Sequence, residues 1–250
     1  MEMNIEFFVI AALATVFAGT SKGGFGSGAA FASSAILATV IDPGVAVGFM
    51  LPLLMVMDLG GFKPYWKKWN TMAAFWLILG ALPGGISGAL FFSYTNDAAL
   101  RVLIGVISIA FVVWQVAKNL GYVRPVALVR VRLWGIICGV AAGFTSFVSH
   151  AGGPPAAIYL LARNLGKTEF QATTVLVFWA VNLSKVVPYA ALGLFSKQSL
   201  LLNVYFIPFA LFGVWLGVVL HRWMSEKVYF GLTYVLLLIT GARLIWMAFV

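Results

Sequence analysis

Between Arg101 and Lys118 the chain reads VLIGVISIAFVVWQVA, without one charged side chain. A helix rises about 1.5 Å per residue, so a run of this length covers most of a ~30 Å hydrocarbon layer. Comparable runs recur along all 250 residues. Charged residues make up only 9%, against about 25% in a typical soluble domain. Hydrophobic residues make up 62%, and the mean hydropathy is +1.02. Packing in water cannot hide that much apolar surface. The chain therefore reads as an integral membrane protein. Backbone inside lipid must satisfy its own hydrogen bonds, which leaves helices or a closed barrel. Barrel strands alternate apolar and polar residues, and these runs do not. The expected class is an all-α polytopic membrane protein, with residues 1–250 as a single transmembrane domain.

Ten apolar segments stand out: 5–20, 28–41, 45–62, 72–93, 98–118, 132–147, 154–165, 170–193, 199–220 and 228–249. Two are too short to span easily, 28–41 and 154–165. Each directly follows a glycine-rich break, KGGFGSG or HAGGPP. The chain thus reads as two halves, 1–118 and 132–250, joined by a linker over 119–131. Each half runs as a helix, a small-residue break, a short helix and three long helices. A shift of 126 places Gly26 on Gly152 and Ala30 on Ala156; a shift of 125 places Pro83 on Pro208 and Gly88 on Gly213. Weak internal symmetry of this kind is common among transporters, and five crossings per half implies inverted topology.

Loop charges give an orientation. With sides alternating from the N-terminus, one side collects Lys63, Lys67, Lys68, Lys118, Arg124, Arg130, Arg132, Arg163, Lys167, Arg222 and Lys227. The other receives Glu2, Glu6, Asp42 and Asp97, with Arg101, Lys197 and Arg243. Basic loops remain in the cytoplasm. The expectation is a multi-pass protein of the cell membrane with both termini outside. The net charge of +9 is then a property of cytoplasmic loops, and no nucleic-acid partner is implied. Trp66 and Trp69 flank the first basic loop, as interfacial anchors do. The acidic start MEMNIEFF lacks the basic region of a cleaved signal peptide, so the first apolar segment is expected to be retained. The single Cys138 rules out an intramolecular disulfide.

The breaks carry the chemistry. Irregular backbone at membrane depth is tolerated only beside protein or a water-filled cavity. A helix starting near Gly28 offers unpaired N–H groups and a partial positive charge. Gly23, Gly24 and Gly26 let a ligand approach that backbone, and Lys22 adds a full charge. The second break repeats this with Ser149, His150, Gly152 and Gly153 before Pro154, a residue suited to a first helical turn. Lys185 is a third element, with Asn182 and Tyr189 on its helix face and Pro188 freeing a carbonyl nearby. An ionisable residue this deep in an apolar helix is a functional candidate. Asp58 is the lone deep acid and a partner for Lys22 or Lys185. The competing reading of the glycines is close helix packing. Ser149 has its own competing reading, a bond to its own backbone. These residues predict a small-anion site near the midplane. Asp58, His150 and Pro188 are the candidates for coupling or gating, His150 because imidazole titrates near neutrality.

Other classes fit less well. Two histidines, one cysteine and few acids offer no nucleophilic triad or metal-ligand cluster, so neither an enzyme nor a cofactor is expected. No P-loop pattern is present, so a transporter would draw on a gradient or on a partner. An anion channel using the same breaks as a filter is the alternative.

The stretches AGTSKGGFGSG, SHAGGPPAAIYLL and VNLSKVVPYAALGLFS, supported by PFALFGVWLGVVLHRWMSE, resemble the sulfite exporter TauE/SafE family of membrane transporters. The likeness runs in order along nearly the whole chain. It implies a permease or exporter for sulfur-containing anions such as sulfite, organosulfonates or related carboxylates. It also matches Gly23, Gly24, Gly26, Gly152 and Gly153 to the family's paired glycine-rich segments. Phe25 and Ser27 interrupt the first of these and leave the choice of substrate open.

Overall fold

The computed structural model describes residues 5–25, 30–122, 130–223 and 226–250. Among these residues there are ten α-helices and no strand. The first half contains α1 (Ile5–Thr20), α2 (Ala32–Leu37), α3 (Pro43–Tyr65), α4 (Thr71–Ser93) and α5 (Asp97–Asn119). The second contains α6 (Val131–Ser149), α7 (Gly153–Ala162), α8 (Lys167–Ala191), α9 (Lys197–Trp223) and α10 (Glu226–Met247). Seven helices among the described residues are long and apolar enough to cross a membrane. The protein is an all-α polytopic membrane protein.

Local chemistry fixes several boundaries. Asn70 and Asn96 cap α4 and α5 by accepting from the Ala73 and Ala99 amides, each at 2.9 Å. Pro43 opens α3, where a missing N–H costs nothing. The short segment expected over 28–41 contains a helix of only six residues, α2. It is preceded by a π-turn, Ser21–Phe25, that continues α1. Lys22 thus belongs to the end of α1 rather than to an open loop.

Two glycine seams hold the bundle. In the first, α1 and the π-turn lie against α9. A methyl group added at Gly19 would sit 2.7 Å from the Ala210 carbonyl oxygen, and one at Gly213 would sit 2.6 Å from the Val16 carbonyl oxygen. The second seam joins α4 and α6, where Gly80 and Gly84 face the Ile136 and Val140 backbone and Gly139 and Gly143 face that of Leu77 and Ala81. Lipid supplies no hydrophobic drive between helices, so close backbone approach by small residues supplies the attraction. Helices α3 and α8 pack together between these seams, while α5 packs on α10. Advancing each helix by five maps the α1–α9 contact onto α6–α4, and α3–α9 onto α8–α4.

Candidate functional site

The deep charges gather where α3 meets α8. Lys22, on the π-turn, points at α3, where its Nζ donates to Asp58 Oδ1 at 2.5 Å and to the Leu54 carbonyl at 3.2 Å. Asn182 Nδ2 donates to the second carboxylate oxygen of Asp58 at 2.8 Å. Both oxygens of Asp58 are therefore engaged, one by a charge from α1 and one by an amide from α8. π-Turns are enriched at functional sites, and this one carries the Lys22 side chain into the bundle.

One turn beyond Asn182, Lys185 serves a different set of partners. Its Nζ donates to the Ser146 carbonyl at 3.0 Å and to Ser146 Oγ at 3.1 Å, and it lies 2.8 Å from His150 Nδ1. His150 caps α6 in the left-handed region, at φ 58°. A non-glycine residue there is uncommon and is held by its surroundings. Its amide donates to the Ser146 carbonyl, and its Nε2 lies 3.0 Å from the Val47 carbonyl of α3. One further turn along α8, Tyr189 donates to the Phe147 carbonyl. The face shared by Asn182, Lys185 and Tyr189 is thus the inward face of α8.

All five central side chains are shielded, with exposures of 6% for Lys22, 3% for Asp58, 6% for His150, 3% for Asn182 and 2% for Lys185. Their charges do not cancel. Lys22 has a carboxylate partner, but among the described residues Lys185 has none within ion-pair distance. In their ordinary ionised forms two lysines share one carboxylate, so a charge on Lys185 has only neutral dipoles around it. Burying such a charge is costly, and an anion offsets that cost.

The glycines behave differently from the charges. Side-chain space at Gly23 is filled by the Val214 backbone of α9, and that at Gly24 by Gly217. Both belong to the first seam, and close packing against α9 is enough to require glycine at each. At Gly152 a methyl group would lie 2.7 Å from the Ala142 carbonyl and 2.8 Å from the Phe178 ring. Gly153 is the buried first residue of α7. Gly26 and Gly28 lie outside the described residues. Ser149 donates to the Thr145 carbonyl in its own helix at 3.1 Å. Pro188 sits inside α8, its carbonyl accepting from the Leu192 amide at 2.9 Å. Ala151, in the second break, shares an apolar cluster with Phe31 and Ala32 at the start of α2.

Two participants escape a sequence reading centred on charge. Ser146 supplies both oxygens beneath Lys185, and its position one turn before His150 is the signal that finds it. Gln171 donates from Nε2 to the Lys22 carbonyl at 3.0 Å. It lies eleven residues, about three turns, before Asn182 on the same face of α8.

Residues 11–244 match the family model described as sulfite exporter TauE/SafE. The chain belongs to the TauE/SafE sulfite exporter family. The match spans both glycine seams and every residue of the charged cluster. No curated protein and no solved structure gives a match. TauE/SafE proteins are membrane transporters, so the cluster is placed within a transport family.

Proposed function

We propose that this TauE/SafE protein is a secondary transporter of small anions, sulfur-containing ones such as sulfite or organosulfonates. The anion binds near Lys22, Asp58, Asn182, Lys185 and His150, and is exposed alternately to the two faces. The observation that carries this reading is Lys185, a buried lysine with no carboxylate partner among the described residues, in a chain whose family exports sulfite. Backbone at the breaks holds α3 and α8 around the site, and the charges bind. Substrate competes with Asp58 for Lys22, which links binding to movement of α1 against α3.

The helix pairings that repeat on advancing by five support two structural repeats, 1–118 and 132–250, of inverted topology. The basic loops 63–71, 119–131 and 221–227 are cytoplasmic in this reading. A cysteine introduced at position 67 in a Cys138-free background is labelled only after the membrane is permeabilised. Labelling from outside intact cells overturns the orientation.

Purified protein in liposomes tests the transport reading. Sulfite entry should saturate and should accelerate when sulfite is loaded on the opposite face. Lys185→Met should lower affinity by about tenfold or more, beyond the 1 kcal/mol or so of an exposed ion pair. Conductive flux without acceleration by opposite-face substrate assigns the same site to a channel. Native affinity in both Lys22→Met and Lys185→Met removes the central site.

A further inference from the structure

We infer that anion and proton bind together at the contact between Lys185 and His150, with the proton arriving on Nδ1 of His150. The inference rests on the anion-transport reading and adds what must happen at that site for an anion to enter.

The hydrogen bonds fix the protonation of the ring. A carbonyl only accepts, so His150 Nε2, 3.0 Å from the Val47 oxygen, carries a hydrogen. Lys185 in its charged form only donates, so opposite it Nδ1, 2.8 Å from Nζ, presents its lone pair. The ring is the neutral Nε2–H tautomer. Lys185 then spends its three N–H groups on the Ser146 carbonyl, Ser146 Oγ and His150 Nδ1. No N–H remains for a substrate oxygen.

An incoming anion must take one of these bonds. Release of the histidine leaves a bare Nδ1 lone pair in a buried place, facing anionic oxygen. A buried acceptor without a donor is costly, and two facing acceptors repel. A proton from the aqueous side removes both problems. An N–H bond forms at Nδ1, the Lys185 N–H···Nδ1 bond breaks, and both donors turn toward the anion. The ring keeps its Nε2–H bond to Val47 and becomes imidazolium. Its charge is offset by the anion that enters with it.

Charged and titratable groups around the ring fit this exchange. Lys185 and Tyr189 face it from α8, the tyrosine ring centroid 6.2 Å away with its hydroxyl committed to the Phe147 carbonyl. Lys22 adds positive charge from the π-turn, and Asp58 on α3 is tied to Lys22 and Asn182. Without an anion, the two ammoniums oppose a charge on the ring. With one, the opposition is lifted. Proton and anion therefore favour each other's binding, and linkage makes the effect reciprocal.

Calorimetric titration of the full-length purified protein tests the stoichiometry. Sulfate and methanesulfonate serve as probes, because neither takes up protons near neutral pH, and sulfite is titrated beside them. Each titration is run in two buffers of different ionisation enthalpy. The wild type should take up about one proton per bound anion, and His150→Asn close to none. Asparagine tolerates the left-handed backbone at this position. Histidine nitrogen spectra of a His221→Gln background give a second readout that leaves His150 intact. Anion addition should convert Nδ1 from a lone-pair to a protonated nitrogen. Binding with no proton uptake in the wild type, undiminished uptake in His150→Asn, or an unchanged Nδ1 signal overturns the inference and leaves the transport reading standing. If sulfite, sulfate and methanesulfonate all fail to bind, the transport reading falls, and this inference falls with it.

Discussion

Lys22 and Lys185 are two buried ammoniums in one cluster, yet the bundle treats them differently. Lys22 reaches a carboxylate and a carbonyl. Lys185 reaches a hydroxyl, a carbonyl and a neutral imidazole. The first charge is cancelled within the protein, while the second is only solvated by it. Neutral dipoles aimed at a cation lower its burial cost without removing its field. A structural ion pair and a ligand-seeking charge thus differ in whether a counter-charge is built in. The halves differ accordingly: the one carrying Lys22 also carries Asp58, and the one carrying Lys185 carries no buried acid among its described residues.

The largest effect should come from removing the built-in counter-charge. Asp58→Asn leaves Lys22 buried beside neutral partners, and breaking a buried pair in this way costs about 3–5 kcal/mol. Thermal unfolding of the purified protein in lipid nanodiscs should show a large loss of stability. Adding Lys22→Met to Asp58→Asn should recover most of it, because the unpaired charge goes too. If the double variant is no more stable than Asp58→Asn alone, Lys22 and Asp58 do not form a balanced pair.

The second effect separates the two lysines directly. Lys22→Met strips Asp58 of its ammonium and should destabilise by an amount comparable to Asp58→Asn. Lys185→Met removes a charge that has no acid to strand. Its stability cost should be smaller, about 1–3 kcal/mol for the acceptors left on Ser146 and His150. Anion binding should reverse the ranking of severity, with Lys185→Met losing at least as much affinity as Lys22→Met. Lys185→Arg should rescue binding only in part, since a planar guanidinium does not replace a compact ammonium. Equal stability losses in the two methionine variants would erase the distinction between the lysines.

Much of this arrangement is legible in the sequence, because lipid is an exacting solvent. Apolar runs bounded by charge mark the helices, and the observed order of long and short helices follows those runs. Charges deep in such runs are expensive, so Lys22, Asp58 and Lys185 announce themselves, and the structure brings them together. Glycine is less readable. A glycine that admits a ligand and one that admits a neighbouring helix look alike in sequence. Gly23 and Gly24 face the backbone of α9, which alone requires glycine there. Pairing is also hidden, since nothing local says that Asp58 goes to Lys22 rather than Lys185. Ser146 and Gln171 are missed because their hydrogen bonds run between helices far apart in sequence. The π-turn that aims Lys22 packs against α9 and has no local signature.

The smallest effect concerns Gln171, which tests whether Lys22 is positioned as well as paired. Its side chain crosses from α8 to the carbonyl of Lys22, so it holds the backbone of the π-turn rather than the ammonium. Gln171→Leu removes one neutral hydrogen bond and leaves a buried carbonyl without that donor, at a cost of about 1 kcal/mol. No charge is exposed or stranded, so the loss should be well below that of Asp58→Asn. The expected signature is in anion handling. A looser π-turn lets Lys22 leave Asp58 more readily, so substrate competes better for it. Gln171→Leu should therefore change anion affinity by a few-fold at most, toward tighter binding, while Gln171→Glu should weaken binding by placing a carboxylate beside the cluster. Because the Lys185 partners are untouched, the Lys185→Met defect should be the same in either background. A Gln171→Leu protein as unstable as Asp58→Asn would mean that the turn, and not the ion pair, carries the stability of the first half.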